Sequence, residues 1–576
     1  MARYPPKHGQ KRYIAASNST TEQRRTAACR ECVQQDLRYI LSMLTHRFDL
    51  RERRTPHTYF RSVYTVSTLL LALPVVDPPL YTMEPDSPQI GRRRSSFSVD
   101  DPEQQRKAEH GSGFGHKTIG FFGGFALLVN NMTGPGMTAI PPIFQQAGWL
   151  VPSLCFLVVA LVATLSSTML CQAMASIPGN DKFQDRVELT TLAKRVFGKW
   201  GFYFTMLLFV LSLQSVNVAS IVESAQTMDL TIIRIFGKSC ALEFAPDFGF
   251  ICHKGFGTGV SPFGDDVWVI SIGFLVILLM AVPLGYVNLD DNIGVQKGAF
   301  VILMIICVEW FVWFVYRGDL DYGNVPAVGK DMSQVLGTIV FNYAYVTTIP
   351  SWVNEKKPHV SINTSMWSSA ILSFVLFMFL GVLGAWSYHY SPSDDVLSKI
   401  NDDLSGSPFM NLCSQVTVYL FPLVALVSGI PIFSIIVRYN LMENKVCGKG
   451  WANVWGVLFP WLVSIPAYTG SGLLQVINWT SLLVNGFINF VIPTLIYIVA
   501  VAQAKRRDSE DKTDMSGLLE DPDSSINRSS SFASEPFSAL PKWVSMKHAS
   551  YLAWSMVVFF SSVTVIAIAI ALKQQA

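Results

Sequence analysis

The sequence predicts an all-α, multi-pass membrane protein with eleven spanning helices. Three observations carry this. Half of the 576 residues are hydrophobic, and only 15% are charged, where a soluble chain carries roughly 25%. From Ile119 onward, apolar runs of spanning length follow one another with short polar breaks. Backbone groups in lipid must be satisfied internally, which selects helices over open strands. The same figures exclude a disordered chain, a nucleic-acid binder and a soluble multidomain enzyme, and a net charge of +3 is too small to call for a polyanionic partner.

In order along the chain, residues 1–117 are rich in Arg, Ser, Pro and acids, as in Arg92-Arg93-Arg94-Ser95-Ser96. They read as a disordered, basic cytoplasmic tail, long enough to hold a cytosolic partner. Within it, 33–48 reads as a weak amphipathic helix. The apolar stretch 64–76 is too short to span and too deep in the chain for a signal peptide. Residues 118–503 form a ten-helix core, with runs at about 119–146, 150–174, 202–226, 267–287, 293–316, 333–352, 364–387, 409–436, 452–469 and 473–502. A polar linker at 504–549, Ser-rich at 524–534, leads to an eleventh span and short C-terminus in 550–576.

Basic residues gather in alternate loops: Lys182, Arg186, Lys194, Arg195 and Lys199; Lys356 and Lys357; Arg438, Lys445 and Lys449; and Lys505-Arg506-Arg507. The positive-inside rule puts these loops and the N-terminus in the cytoplasm, and the C-terminus outside or in a lumen. Cys240 and Cys252 then fall in one outer loop, where a disulfide is expected. No Asn-x-Ser/Thr match falls in an outer loop, so no N-glycan is expected. Cys29-x-x-Cys32 lacks a second ligand pair, so neither a metal nor another cofactor is expected.

Two runs contain breaks. Gly134-Pro135-Gly136 interrupts the first: Pro lacks a donor and Gly allows off-helix dihedrals. Either a Pro kink or two half-helices with an unwound link would result. Half-helix ends near the midplane present amides to anions and carbonyls to cations, and an amino acid zwitterion carries both charges. The sixth run is polar at its centre, Asn342-Tyr343-Ala344-Tyr345, and ends at Pro350. Breaks five spans apart fit a five-plus-five inverted repeat. In the third run Gln214, Asn217, Ser220 and Glu223 recur at helical spacing, a face expected to border the cavity. Glu309 in the fifth run reads as an interfacial residue.

These residues resemble the amino acid/auxin permease family, the amino acid transporter transmembrane family of the APC superfamily, and within it the neutral amino acid branch. The stretch Asn130-Asn131-Met132-Thr133-Gly134-Pro135-Gly136 resembles that family's Asn-x-x-x-Gly-x-Gly/Ser motif, followed by Ala139-Ile140-Pro141. Gln146-Ala147-Gly148-Trp149, Phe341-Asn342-Tyr343 through Pro350, Gly429-Ile430-Pro431 to Arg438, and Trp479 to Pro493 extend the likeness over about 118–572. The resemblance implies a LeuT-type fold and amino acid symport by alternating access, coupled to H⁺ or Na⁺. In the sodium-coupled branch a first-span Asn and an eighth-span Thr ligate Na⁺. Asn130 matches the first, but Ser428 stands where the Thr is expected. Pro135 replaces a common Ser or Thr and removes one donor.

The sequence reading is therefore a secondary-active, H⁺-coupled amino acid symporter of the plasma membrane or the vacuolar/lysosomal membrane, not an enzyme. Substrate would sit among Met132, Thr133, Gly134, Pro135, Gly136, Gln214, Asn217, Asn342, Tyr343, Ala344 and Tyr345. Asn130 and Ser428 form a candidate cation site, and Glu223 a candidate proton carrier. A Na⁺-coupled carrier of the same fold and an amino acid sensor signalling through residues 1–117 are the alternatives. Beyond substrate and lipid, the tail's cytosolic partner is the remaining interaction expected.

Overall fold

Gly134-Pro135-Gly136 divides the first apolar run into α1 (Phe121–Met132) and α2 (Ile140–Ala147), joined by a short 3₁₀ turn at Pro135–Met137. The break therefore resolves as two half-helices. Gly134 is extended, and Pro141 and Pro142 occupy the first turn of α2, where missing amides cost least. The computed structural model describes residues 114–575, apart from 181, 255–260, 265–266, 319, 392–393, 469–480, 518–538 and 542. The expected helix at 33–48, the apolar stretch 64–76, the Ser-rich 524–534 and Trp479 lie outside the described residues.

The chain continues as α3 (Leu150–Ala175) and α4 (Leu189–Phe236). Gly198, at φ 73°, splits an amphipathic opening of α4 from its apolar body. α5 (Ile272–Gly285), α6 (Leu289–Tyr316), α7 (Val335–Asn342), α8 (Ile349–Glu355) and α9 (Ile362–Ser387) follow. Between α7 and α8 lies a second interruption, a 3₁₀ turn at Val346–Thr348, with Pro350 opening α8. Then come α10 (Val396–Asp402), α11 (Pro408–Glu443), α12 (449–467), α13 (481–517) and α14 (Met546–Gln575). α13 runs 14 residues past the expected core boundary at 503, to Gly517.

Among the described residues seven helices, rather than eleven, are long and apolar enough to cross a membrane unaided: α3, α4, α6, α9, α11, α13 and α14. The other four apolar runs fall short for separate reasons. The first and sixth are interrupted. The fourth yields only the 14 residues of α5, because Trp268–Ser271 is a strand. At 1.5 Å per residue α5 measures ~21 Å, short of a hydrocarbon core of ~30 Å. α12 is distorted by a π turn at Val454–Leu458 and carries Pro460 and Pro466.

A three-stranded antiparallel sheet, ordered β2-β1-β3, joins α4 to α5: β1 is Ser239–Ala245, β2 Gly249–His253 and β3 Trp268–Ser271. Cys240 faces Cys252 across β1 and β2, and the two are joined by a disulfide. One face, with Ala241 and Val269, packs on Ile221, Ala225 and Phe274 of the bundle. The other exposes Phe244, Phe250 and Trp268. This sheet side lies opposite the basic side, which carries the Lys/Arg-rich loops.

Buried polar contacts tie the segments together on both sides. On the basic side, the Glu355 carboxylate at the end of α8 accepts from Arg186 Nη2 (2.7 Å), Gly115 N (3.2 Å) and Asp290 N (2.9 Å). Arg186 also approaches Glu188 (3.7 Å), itself held by Ser351, Asn354 and Asn440. On the sheet side Arg317 pairs with Asp403 (2.6 Å), which accepts from Tyr388 Oη (2.9 Å).

Candidate functional site

The interruptions of the first and sixth runs meet. A methyl group on Gly136 would stand 2.9 Å from Asn342 Nδ2 and 3.1 Å from Phe341, so glycine is what lets the two breaks approach. Beside them lies a nearly closed cavity of about 10 Å³, room for little more than one water molecule. The first-span break contributes Asn130, Asn131, Met132, Gly134 and Pro135 to its wall; α4 gives Val216 and Ser220; α7 gives Phe341 and Asn342; α11 gives Ala425, Leu426, Gly429 and Phe433. The C-termini of α1 and α7 end here, bringing partial negative charge to the cavity.

The polar chemistry is one-sided. Asn130 donates Nδ2 to Gln296 O (3.0 Å) and Oε1 (2.9 Å); Asn131 donates to Thr348 Oγ1 (3.2 Å); Asn342 donates to Thr338 O (3.0 Å). In each the amide nitrogen is engaged and the buried Oδ1 has no partner. Three unpaired carbonyl acceptors in a wall without a charged residue suit a group with several donors, such as an ammonium. The space before Gly134 is open. The remaining wall, Met132, Val216, Leu426, Phe341 and Phe433, is apolar.

Not every expected residue reaches this cavity. Tyr343 packs on Phe156 and Phe377, and Tyr345 Oη meets Thr164 Oγ1 of α3 (3.3 Å), so both tyrosines face neighbouring helices. The two tyrosines at the polar centre of the sixth run thus serve packing between helices. Ala344 and Thr133 are buried outside the wall, the Thr133 hydroxyl returning to Val129 O. Gln214 and Asn217 turn from the cavity: Gln214 donates to Trp455 O (2.8 Å) of α12 and Asn217 to Ser434 (3.3 Å) of α11. The α4 face that borders the cavity is Val216 and Ser220, about one residue-step around the helix.

Glu223 lies outside the wall, beside Thr138 of the first-span break and Asp395 of the sheet-side loop. Its Oε1 is enclosed without a partner. Glu309 accepts from Ser414 and Thr417 (2.7 Å each). Asn130 and Ser428 do not meet directly; Gln296 of α6 stands between them, donating Nε2 to Ser428 O at 2.8 Å. Gln296, a single amide in an apolar run, gave no sequence signal. Phe341 and Phe433 were hidden among many aromatic residues. Among the described residues no group of His, Cys, Asp and Glu could hold a metal ion.

A small cavity between interrupted membrane helices is the architecture of a secondary transporter. Residues 117–515 match the family described as transmembrane amino acid transporter protein. The chain belongs to this family and is a transport protein rather than an enzyme. No curated protein is significantly similar to it. Among solved structures it is similar to Mhp1, a nucleobase-cation-symport-1 family transporter, closed with bromovinylhydantoin bound (13% identity, TM-score 0.48, 67% of this chain and 80% of that one). It is also similar to inward-facing Mhp1 (14%, 0.44, 66% and 77%) and to the Eremococcus coleocola manganese transporter in complex with an aromatic bis-isothiourea substituted compound (13%, 0.44, 78% and 86%).

Proposed function

We propose that this protein is an H⁺-coupled symporter of neutral amino acids, working by alternating access in a LeuT-type five-plus-five repeat. The observation that carries the substrate class is the set of three unpaired Oδ1 atoms on Asn130, Asn131 and Asn342. They receive the substrate ammonium, together with the carbonyl ends of α1 and α7. The carboxylate sits at the unwound amides of Gly134 and Gly136. The apolar wall then takes an uncharged side chain, because a charged one would be buried without a partner.

The basic side faces the cytoplasm, by the distribution of Lys and Arg. Glu223 is the proton carrier: a carboxylate with one enclosed, unpartnered oxygen, next to the break that binds substrate. Uptake of labelled amino acids into proteoliposomes under an imposed pH gradient tests both assignments. Accumulation of neutral amino acids is expected, competed by other α-amino acids but not by analogues lacking the ammonium group. Equal competition by the deaminated analogues would refute the assignment of the three amides. E223Q is expected to abolish gradient-driven accumulation while keeping substrate exchange; full accumulation by E223Q would remove Glu223 from the mechanism.

A further inference from the structure

The sequence motif that suggests a Na⁺ site at Asn130 and Ser428 meets an arrangement that does not fit a cation. A monovalent cation is held by oxygen atoms turned toward it. Against Gln296, Asn130 presents its nitrogen, and its unpaired Oδ1 is the oxygen assigned above to the substrate ammonium. Nδ2 is pinned by two acceptors of one residue, Gln296 O at 3.0 Å and Oε1 at 2.9 Å. The reversed amide would set Oδ1 against both of them, so the orientation is fixed by chemistry. The Ser428 hydroxyl is spent along its own helix, donating to Val424 O at 2.5 Å. The Ser428 carbonyl accepts Gln296 Nε2 at 2.8 Å.

Two N–H donors therefore occupy the space between α1, α6 and α11, and every polar atom of the Gln296 side chain is engaged. Asn130 and Ser428 are nearly inaccessible and Gln296 wholly so. No carboxylate joins the chain of contacts, so a cation entering it would find no compensating charge.

We propose that the Gln296 amide takes the place of a coupling cation, tying the first-span half-helix α1 to α11 as a bound ion would. The protein then binds no Na⁺ at this position and transports without it. The inference deepens the transport reading and rests on it for its functional consequence, but its binding test does not depend on transport. Q296A removes the Nε2 donor from the Ser428 carbonyl and the Oε1 acceptor from Asn130 Nδ2, leaving Asn130 held only by the backbone carbonyl of residue 296, beside a vacancy open to a cation.

The experiment is thermal unfolding of the purified full-length protein in NaCl against choline chloride at equal ionic strength, without substrate. The wild type is expected to unfold at the same temperature in both salts. Q296A is expected to gain a saturable, Na⁺-specific rise in Tm. A saturable Na⁺ effect on the wild type would overturn the proposal, whatever the variants do. So would a folded Q296A indifferent to Na⁺, because the amide would then be a packing bridge only. Should Q296A fail to fold, Q296S, which keeps a small polar side chain, takes its place. Uptake by wild-type proteoliposomes in the two salts supplies the second readout. Rates within twofold of each other are expected, and a tenfold requirement for Na⁺ overturns the proposal. Absence of uptake in both salts would instead count against the transport reading, leaving the Tm result to decide the role of Gln296.

Discussion

Asn342 concentrates the binding argument in one side chain. It touches Gly136 across the two breaks, and its Oδ1 is buried without a partner. A hydrogen bond to a charged group contributes about 1.5–3 kcal/mol, or roughly 10- to 100-fold in affinity. N342A is therefore expected to raise the substrate KM by that factor with little change in Tm; an unchanged KM would take Asn342 out of the ammonium site. Glu355 carries a different expectation. Burial raises its carboxyl from 4.5 to about 7, against the pull of Arg186, while Asp290 adds repulsion and the Tyr439 hydroxyl stabilises the charge. Arg186 is shared with Glu188, so one guanidinium serves two buried carboxylates. Between pH 4.5 and about 7 the folded protein keeps a proton that the unfolded chain has released, so stability falls as pH rises through that window and levels above it. E355Q removes this titration. Its Tm is expected to decline less than that of the wild type between pH 5 and pH 7.5, and an identical decline would show that Glu355 does not titrate there. At this scale the sequence exposed Asn130, Asn131 and Asn342 because polar residues stand out in apolar runs. It hid which way each points: Gln214 and Asn217 sit one step around α4 from Ser220, a rotation that spacing alone does not set.

The elements were legible wherever a single residue has a backbone consequence. Gly134-Pro135-Gly136 marks the first interruption, since proline lacks a donor whatever surrounds it. The second interruption was legible only through polar residues and Pro350. The sheet was not legible, because both of its faces are apolar. Phe244, Phe250 and Trp268 on the exposed face mask the period of two that a half-buried strand normally shows, and Trp268–Ser271 reads as the start of a helix. What holds this sheet is the buried carboxylate of Asp229 in α4. It accepts from Ser239 of β1 (2.6 Å), Ser271 of β3, Gly273 N of α5 (2.9 Å) and Tyr468 beyond α12. Removing one acceptor would strand donors from four segments, each costing about 1–3 kcal/mol when left buried and unpaired. D229A is expected to lower Tm by several degrees and to raise hydrogen exchange in β1 and β3 ahead of the rest of the bundle. Uniform exchange with an unchanged Tm would mean that apolar packing alone seats the sheet.

In the whole molecule, the contacts on the two sides constrain how the cavity can open. On the basic side Gly115 and His116 amides bind Glu355 and Asp290 (3.2 and 3.1 Å), fastening the segment before α1 to α8 and α6. On the sheet side Gln145 of α2 donates to Tyr388 O (3.0 Å) and accepts from Tyr390 N (2.7 Å). Arg317, Asp403, Tyr388 and Trp313 then bind that loop to the end of α6. Under the alternating access proposed above, the two sets would release in turn, because releasing both together would let a driving gradient leak. The Asp403 carboxylate forms an ion pair with Arg317 and accepts from Tyr388, so D403N weakens the sheet-side set without touching the basic one. Ser220, buried in the cavity wall, reports the outcome when replaced by cysteine. D403N in the S220C background is expected to raise the rate of labelling by a membrane-impermeant thiol reagent applied from the sheet side at least threefold. E355Q in the same background is expected to leave it unchanged or slower, since loosening the basic side favours the opposite opening. Faster labelling from the sheet side in both variants would mean that the two sets do not oppose each other. The cavity would then open by local fluctuation rather than by an exchange between two closed ends.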